Sequence, residues 1–388
     1  MPLKPINEYI ENMPRSGIRR IMDTAVGEDV IHLEVGQPDF SSPEPVIEAA
    51  CDAARDASGV YTKYTPNMGY ASLREALVEK LRAENGIETN TGRILITPGS
   101  NYGIMIALSV LLRAGDEVLV PDPGYVNYGA LPPQYGAKVV RYPLAVEDGF
   151  APRIETIAER ITPRTKMIVH NSPSNPTGAV ASEQFTRELV ELARANDLYV
   201  FSDEAYEHIV FEGEHHSPGK FDDDEGRVVS IFSCSKSYAM TGWRIGYVVA
   251  NEAVSRALEK QQELCCSCAP AVSQKAAEAA IHGVAPHVKS MRERYQRRRD
   301  LAADILRKHG RLSYTPQGAF YFLIDISSTG MDSDEFADRL LREQRVAAAP
   351  GKTFGEVSSR FLRITMAADD AKVEEGLERI CKFIDACS

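Results

Sequence analysis

Along most of the chain one unit recurs: a short apolar run, a cluster of small and polar residues, then an amphipathic stretch. Residues 30–33, 93–97, 117–120, 167–170, 198–201, 228–232 and 246–250 are apolar runs of strand length. Between them lie stretches of helical period; in 182–196, Phe185, Leu189, Leu192 and Ala193 fall on one face. Strands that are apolar on both sides need cover on both sides, and alternating helices supply it. The fold class is therefore α/β with a mostly parallel sheet. In such sheets ligands gather outside the carboxyl ends of the strands, so chemistry is sought just after each run.

The texture changes after about residue 285, where "VKSMRERYQRRRDLAADILRKHG" reads as a long charged helix with Arg297, Arg298 and Arg299 on its solvated face. The strands "GAFYFLIDI" and "FLRITMA" follow, with helices between and after them, an α+β arrangement. A chain of 388 residues has room for two domains. The expected division is an N-terminal arm with part of a small domain at 1–45, a large domain at 46–285 and a small C-terminal domain at 286–388.

A formal net charge of −11 argues against nucleic acid or an anionic membrane as partner. No run approaches the roughly 20 apolar residues of a membrane span. The opening "MPLKP" lacks the apolar core of a signal peptide, which makes cytoplasm the expected location. Seven cysteines, an odd number in a large chain, do not read as a disulfide framework. Cys265, Cys266 and Cys268 lack a second ligand group at zinc spacing and read as buried or pocket-lining thiols. His215 and His216 sit in a polar loop and read as surface.

The strand ends carry a set of residues that belong together. After 93–97 comes "PGSNYG" opening a helix, whose free N–H groups and positive dipole end suit a phosphate. After 167–170 comes "NSPSNPTG", in which two prolines stiffen a turn around the Asn175 amide. After 198–201 come Asp203 and Tyr206, and after 228–232 come Ser233 and Lys236, with Arg244 close behind. Other matches fail. Gly351-Lys352-Thr353 lacks the earlier glycine of a P-loop, and no G-x-G-x-x-G follows a strand.

An aspartate, a tyrosine, an asparagine, a phosphate cradle and a lysine at successive strand ends are what pyridoxal phosphate requires of a protein. With "LEVGQPDF", "YTKYTPNMGYASLREAL", "ITPGSN", "NSPSNPTGAV", "SDEAYEHIVFEG", "SKSYAMTGWRIGY", "GAFY", "PGKTFG" and "FLRI" in order, the sequence resembles, nearly end to end, the fold-type I pyridoxal-phosphate aminotransferases of class I/II, the aspartate aminotransferase-like family.

That resemblance implies a seven-stranded, mostly parallel sheet in the large domain, a homodimer with shared active sites, and amino-acid and 2-oxo-acid substrates exchanged by a ping-pong mechanism. It implies that Lys236 holds the cofactor as an aldimine and moves the Cα proton. Asp203 pairs with the pyridine nitrogen, Tyr206 and Asn175 hydrogen-bond the ring oxygen, and Tyr125 stacks on the ring. Ser100, Asn101, Ser233 and Arg244 hold the phosphate, with Tyr64 reaching it from the neighbouring subunit. Arg363 clamps the substrate α-carboxylate under the Gly36 segment, with Asn175 beside it. Some relatives place a lysine where Asn101 stands to read a second carboxylate, so Asn101 shifts the expectation toward neutral or aromatic donors. The same scaffold also supports β-elimination and cyclisation, and a non-enzymatic cofactor sensor would need an appended DNA-binding segment.

Overall fold

A computed structural model describes residues 3–13, 15–222 and 226–388. Met1 and Pro2, at the head of the expected arm, lie outside them. The strands are β1 (Ile31–His32), β2 (Ile94–Thr97), β3 (Glu117–Asp122), β4 (Lys138–Pro143), β5 (Thr165–Asn171) and β6 (Tyr199–Asp203). They continue with β7 (Val228–Ser233), β8 (Gly246–Val249), β9 (Tyr321–Asp325), β10 (Val346–Ala347), β11 (Ala349–Pro350) and β12 (Phe361–Thr365).

Seven strands form one sheet in the order β2-β8-β7-β6-β5-β3-β4. Neighbours run parallel except β8, which is antiparallel to both β2 and β7. The apolar runs from 93–97 to 246–250 supply every strand except β4. That strand is half exposed, with Lys138 and Arg141 facing water and Tyr142 buried. It closes one edge of the sheet, so only part of it needs apolar residues and its signal in the sequence is weak. The first expected run, at 30–33, does not join this sheet; β1 pairs in parallel with β10, Ile31 opposite Val346.

Local rules account for the covering helices. The 182–196 stretch forms the helix Glu183–Ala195, started by Ser182, whose Oγ accepts from the Phe185 N–H at 3.2 Å. Phe185, Leu189 and Ala193 are buried against the sheet. The charged segment forms the helix Ala285–Lys308, which leads to the antiparallel sheet β11-β12-β9.

Its arginines correct the expectation of a solvated face. Arg297 is exposed, but Arg298 and Arg299 are 1% and 3% exposed. Arg298 forks onto Asp39 at 2.8 and 2.7 Å and reaches Asp370 at 2.5 Å. Arg299 donates to Glu212 at 2.8 Å and to the Pro316 carbonyl at 2.6 Å. The helix is covered on more than one side, and each buried guanidinium is matched by carboxylates and carbonyls. Among the described residues no helix is long and apolar enough to cross a membrane.

Candidate active site

β5, β6 and β7 end side by side, with Asn171 in register with Asp203. Asn171 and Asp203, at the ends of β5 and β6, and Lys236, three residues past the end of β7, line a cleft of about 520 Å³. The Asn171 side chain ties the ends of β5 and β6 together: its Nδ2 donates to the Asp203 carbonyl at 2.9 Å, and its Oδ1 accepts from the Asn175 N–H at 2.8 Å. Of the residues singled out from sequence, Gly36, Ser100, Asn101, Tyr125, Asn175, Asp203, Tyr206, Lys236 and Arg363 line this cleft.

Asp203 is buried at the cleft floor, where desolvation raises its carboxyl to about 6. The Tyr128 hydroxyl donates to Oδ2 at 2.6 Å and the Ala205 N–H to Oδ1 at 3.1 Å. Lys236 rides on the four-residue helix Cys234–Ser237, capped by Ser233, whose Oγ accepts from the Ser235 N–H at 3.2 Å. Burial first, then the charges of Arg363 and Arg244, lower the Lys236 amine to about 8. Its Nζ donates to the Gly36 carbonyl at 2.6 Å.

Arg363, on β12, is 2% exposed and lies over the Tyr321 and Phe354 rings, 4.5 and 4.9 Å from their centroids. One of its Nη atoms donates to the Glu34 carbonyl, the other to Asn175 Oδ1 at 3.4 Å, and its buried Nε has no partner among the described residues. The Tyr206 and Tyr321 hydroxyls meet at 2.8 Å. Burial pushes the Tyr125 phenol up to about 12.

At the polar end the helix Ser100–Leu111 starts after Gly99, which takes a φ of 87°. The Arg244 guanidinium lies against that turn: a Cβ on Gly99 would stand 2.4 Å from Nη2. Arg244 Nη1 donates to the Thr241 carbonyl at 2.9 Å. Tyr64 is 87% exposed and outside the cleft of its own chain.

Tyr128, Tyr321 and Arg19 also line the cleft without having been assigned a role from sequence. Tyr321 was within reach, since it ends the "GAFY" segment. Tyr128 follows Tyr125 by three residues, and the two rings meet edge-on at 5.5 Å. Two other expectations change. His215 is not a surface residue; its side chain is 9% exposed and its Nε2 lies 2.8 Å from Glu204 Oε2. Cys265 and Cys266 are exposed and Cys268 half-buried, none of them lining the cleft. They lie at and beyond the end of the helix Glu252–Cys265, past its buried face of Val254, Leu258 and Gln262.

Comparison with known proteins agrees with this architecture. The family described as aminotransferase class I and II matches residues 28–380. An aspartate aminotransferase of Pyrococcus abyssi is 36% identical over 384 residues, 98% of each chain. The aromatic-amino-acid aminotransferase 2 of Thermococcus litoralis is 34% identical over 98% of each chain. The solved structure of an aspartate aminotransferase from Thermus thermophilus with maleate superposes with a TM-score of 0.93 at 35% identity, covering 98% of this chain and 100% of that one. Fold, order of motifs and full-length similarity together place the chain in the class I and II aminotransferases, enzymes that depend on pyridoxal phosphate.

Proposed function

We propose that this cleft transfers the amino group of an L-amino acid to a 2-oxo acid, with Lys236 as both the anchor for pyridoxal phosphate and the proton carrier. The observation that carries the reading is a lysine at about 8 in the same cleft as a buried carboxylate and a buried arginine with a free N–H.

The residues fit the cofactor. Asp203 is a desolvated carboxylate that makes no ion pair among the described residues, Lys236 acting on it only through space, and a protonated pyridine nitrogen would be a direct partner. The helix end at Ser100 and Asn101, the Ser233 hydroxyl and the Arg244 guanidinium are the donors a phosphate needs. When bound, pyridoxal phosphate supplies an aldehyde that condenses with primary amines and a ring that draws electron density from Cα.

The chain's own groups do the rest. Lys236 has its neutral form within reach near pH 8, so Nζ takes the proton from Cα and returns it. Asp203, held by Tyr128 and the Ala205 N–H, keeps the ring nitrogen charged. Tyr206 and Asn175 donate to the ring oxygen, and Tyr125 covers the ring face. The unpartnered Arg363 Nε and an adjacent Nη form a fork for the α-carboxylate. Gly36, whose carbonyl contacts Lys236, closes that side.

Tyr64, exposed in its own chain, serves the phosphate of a neighbouring subunit in a cytoplasmic homodimer. The proposed division into an arm with part of a small domain (1–45), a large domain (46–285) and a small C-terminal domain (286–388) puts Gly36 and Arg363 on one side of the cleft and Asp203 and Lys236 on the other. A Lys236→Ala protein that binds cofactor without turnover supports these roles, and full activity in that variant overturns them. Shared sites have their own test. Inactive Lys236→Ala and Tyr64→Ala subunits, mixed and reassociated, regain activity because the hybrid holds one intact site; no recovery rejects the arrangement.

A further inference from the structure

The charges of the cleft do not balance. Among its described lining residues Arg19, Lys236 and Arg363 are cationic and Asp203 is the one acid. Under the roles just proposed, on which this inference rests, each of the others has a counterpart. Lys236 joins the cofactor, Arg363 meets the α-carboxylate, Asp203 meets the ring nitrogen, and the phosphate has the Ser100 helix end with Arg244. Arg19 is left over.

Its surroundings make that surplus specific. Arg19 sits on the helix Gly17–Thr24, whose other basic residue, Arg20, reaches Asp334 at 2.8 Å and also Asp338. Arg15, just before the helix, pairs with Asp23 at 2.6 Å. Arg19 alone of the three makes no ion pair or side-chain hydrogen bond among the described residues, and it is exposed at the cleft mouth. The helix is not loosely placed: a Cβ on Gly17 would stand 2.1 Å from Thr353 Oγ1 and 2.8 Å from Pro350 Cγ. Ile18 and Met22 line the cleft from the same helix, so Arg19 arrives with an apolar lip around it. Its charge is felt at the Tyr125 phenol, where it works against the upward effect of burial. The nearby Asn127–Asn101 pair, with Asn127 Nδ2 donating to Asn101 Oδ1, contributes no charge.

A cation facing the cleft without a counter-charge favours a ligand that brings a second anion. We infer that Arg19 reads the distal carboxylate of a dicarboxylic substrate, an acidic amino acid as donor or its 2-oxo acid as acceptor. The second charge is thereby read from the helix Gly17–Thr24 of the same subunit, while the Asn101 position stays neutral. The expectation drawn from Asn101 alone, of neutral or aromatic donors, reverses.

The test uses full-length holoenzyme, wild type and Arg19→Gln. The amino-donor half-reaction is followed by the cofactor absorption band with L-glutamate and L-aspartate, and with L-alanine and L-phenylalanine. Maleate binding is measured by calorimetry, which needs no turnover. Loss of one charge-assisted contact is expected to lower kcat/KM for both acidic donors by about 10- to 100-fold and to weaken maleate comparably. The neutral donors should change by less than about threefold, and Arg19→Lys should fall between, keeping the charge but losing the fork. Equal losses for acidic and neutral donors, or none, overturn the inference. A wild type that converts neutral donors but neither acidic one also overturns it, while the transfer roles stand. A wild type that converts no amino acid overturns both.

Discussion

The Tyr128 hydroxyl donates to Asp203 Oδ2 at 2.6 Å, from a side chain that is itself fully buried. This hydrogen bond holds one oxygen of the carboxylate, the Ala205 N–H holds the other, and the group is thereby aimed into the cleft. Tyr128 acts through Asp203 and is a positioning residue.

Tyr128→Phe removes a donor to the ionised form, so the Asp203 carboxyl rises further above about 6. Affinity for pyridoxal phosphate should fall about tenfold, and the acidic limb of the activity profile should move to higher pH. Cofactor titration and a pH–rate series check this; unchanged affinity with an unchanged limb rejects it.

The apoprotein should show the cost of its active-site charges. The Lys236 amine is lowered from 10.5 to about 8 by folding. Its favourable contribution is therefore present above about 10.5 and is lost as pH falls through about 8. The Asp203 carboxyl is raised from 3.8 to about 6. Its contribution is present below about 3.8 and is lost as pH rises through about 6. At pH 7 both groups work against folding. Lys236→Met should raise apoprotein stability at pH 7 by about 1–3 kcal/mol and flatten its dependence between pH 8 and 10. Urea denaturation across that range measures both, and equal stability of variant and wild type would count against a depressed lysine.

Arg363→Lys keeps a charge but loses the planar fork that the free Nε and an Nη can offer. KM for amino-acid donors should rise about 10- to 100-fold, with the spectrum of the bound cofactor unchanged. Steady-state kinetics decide; an unaltered KM would place the carboxylate elsewhere.

Gly99→Ala combines two insults, a φ of 87° and a Cβ 2.4 Å from Arg244 Nη2. Displacing that guanidinium should weaken pyridoxal phosphate by about tenfold. Gly115→Ala is the control, because its φ of 92° is similar but nothing among the described residues lies within 4 Å of the added carbon. Both variants should lose about 1 kcal/mol of stability to backbone strain, and only the first should lose cofactor. Equal cofactor affinity in the two would remove Arg244 from the phosphate site.

The sequence by itself determined the α/β class, six of the seven strands of the main sheet, and the segments that meet at the strand ends. Those follow from periodicity, because a strand buried on both faces has to be apolar along its length and a covering helix has to repeat near 3.6. It left β4 unseen, since an edge strand exposing Lys138 and Arg141 carries little of that signal. It misplaced Arg298 and Arg299, whose burial depends on carboxylates far along the chain, Asp39 at 259 positions from Arg298 and Glu212 at 87 from Arg299, and His215, which folds back within its own loop region onto Glu204. Only the tertiary structure brought Tyr128 to Asp203 and, among the described residues, left Arg363 Nε without a partner and Arg19 unpaired at the mouth of the cleft. Periodicity records which way a residue faces. What it faces is decided by packing between segments remote in sequence, and the cleft is made of such segments.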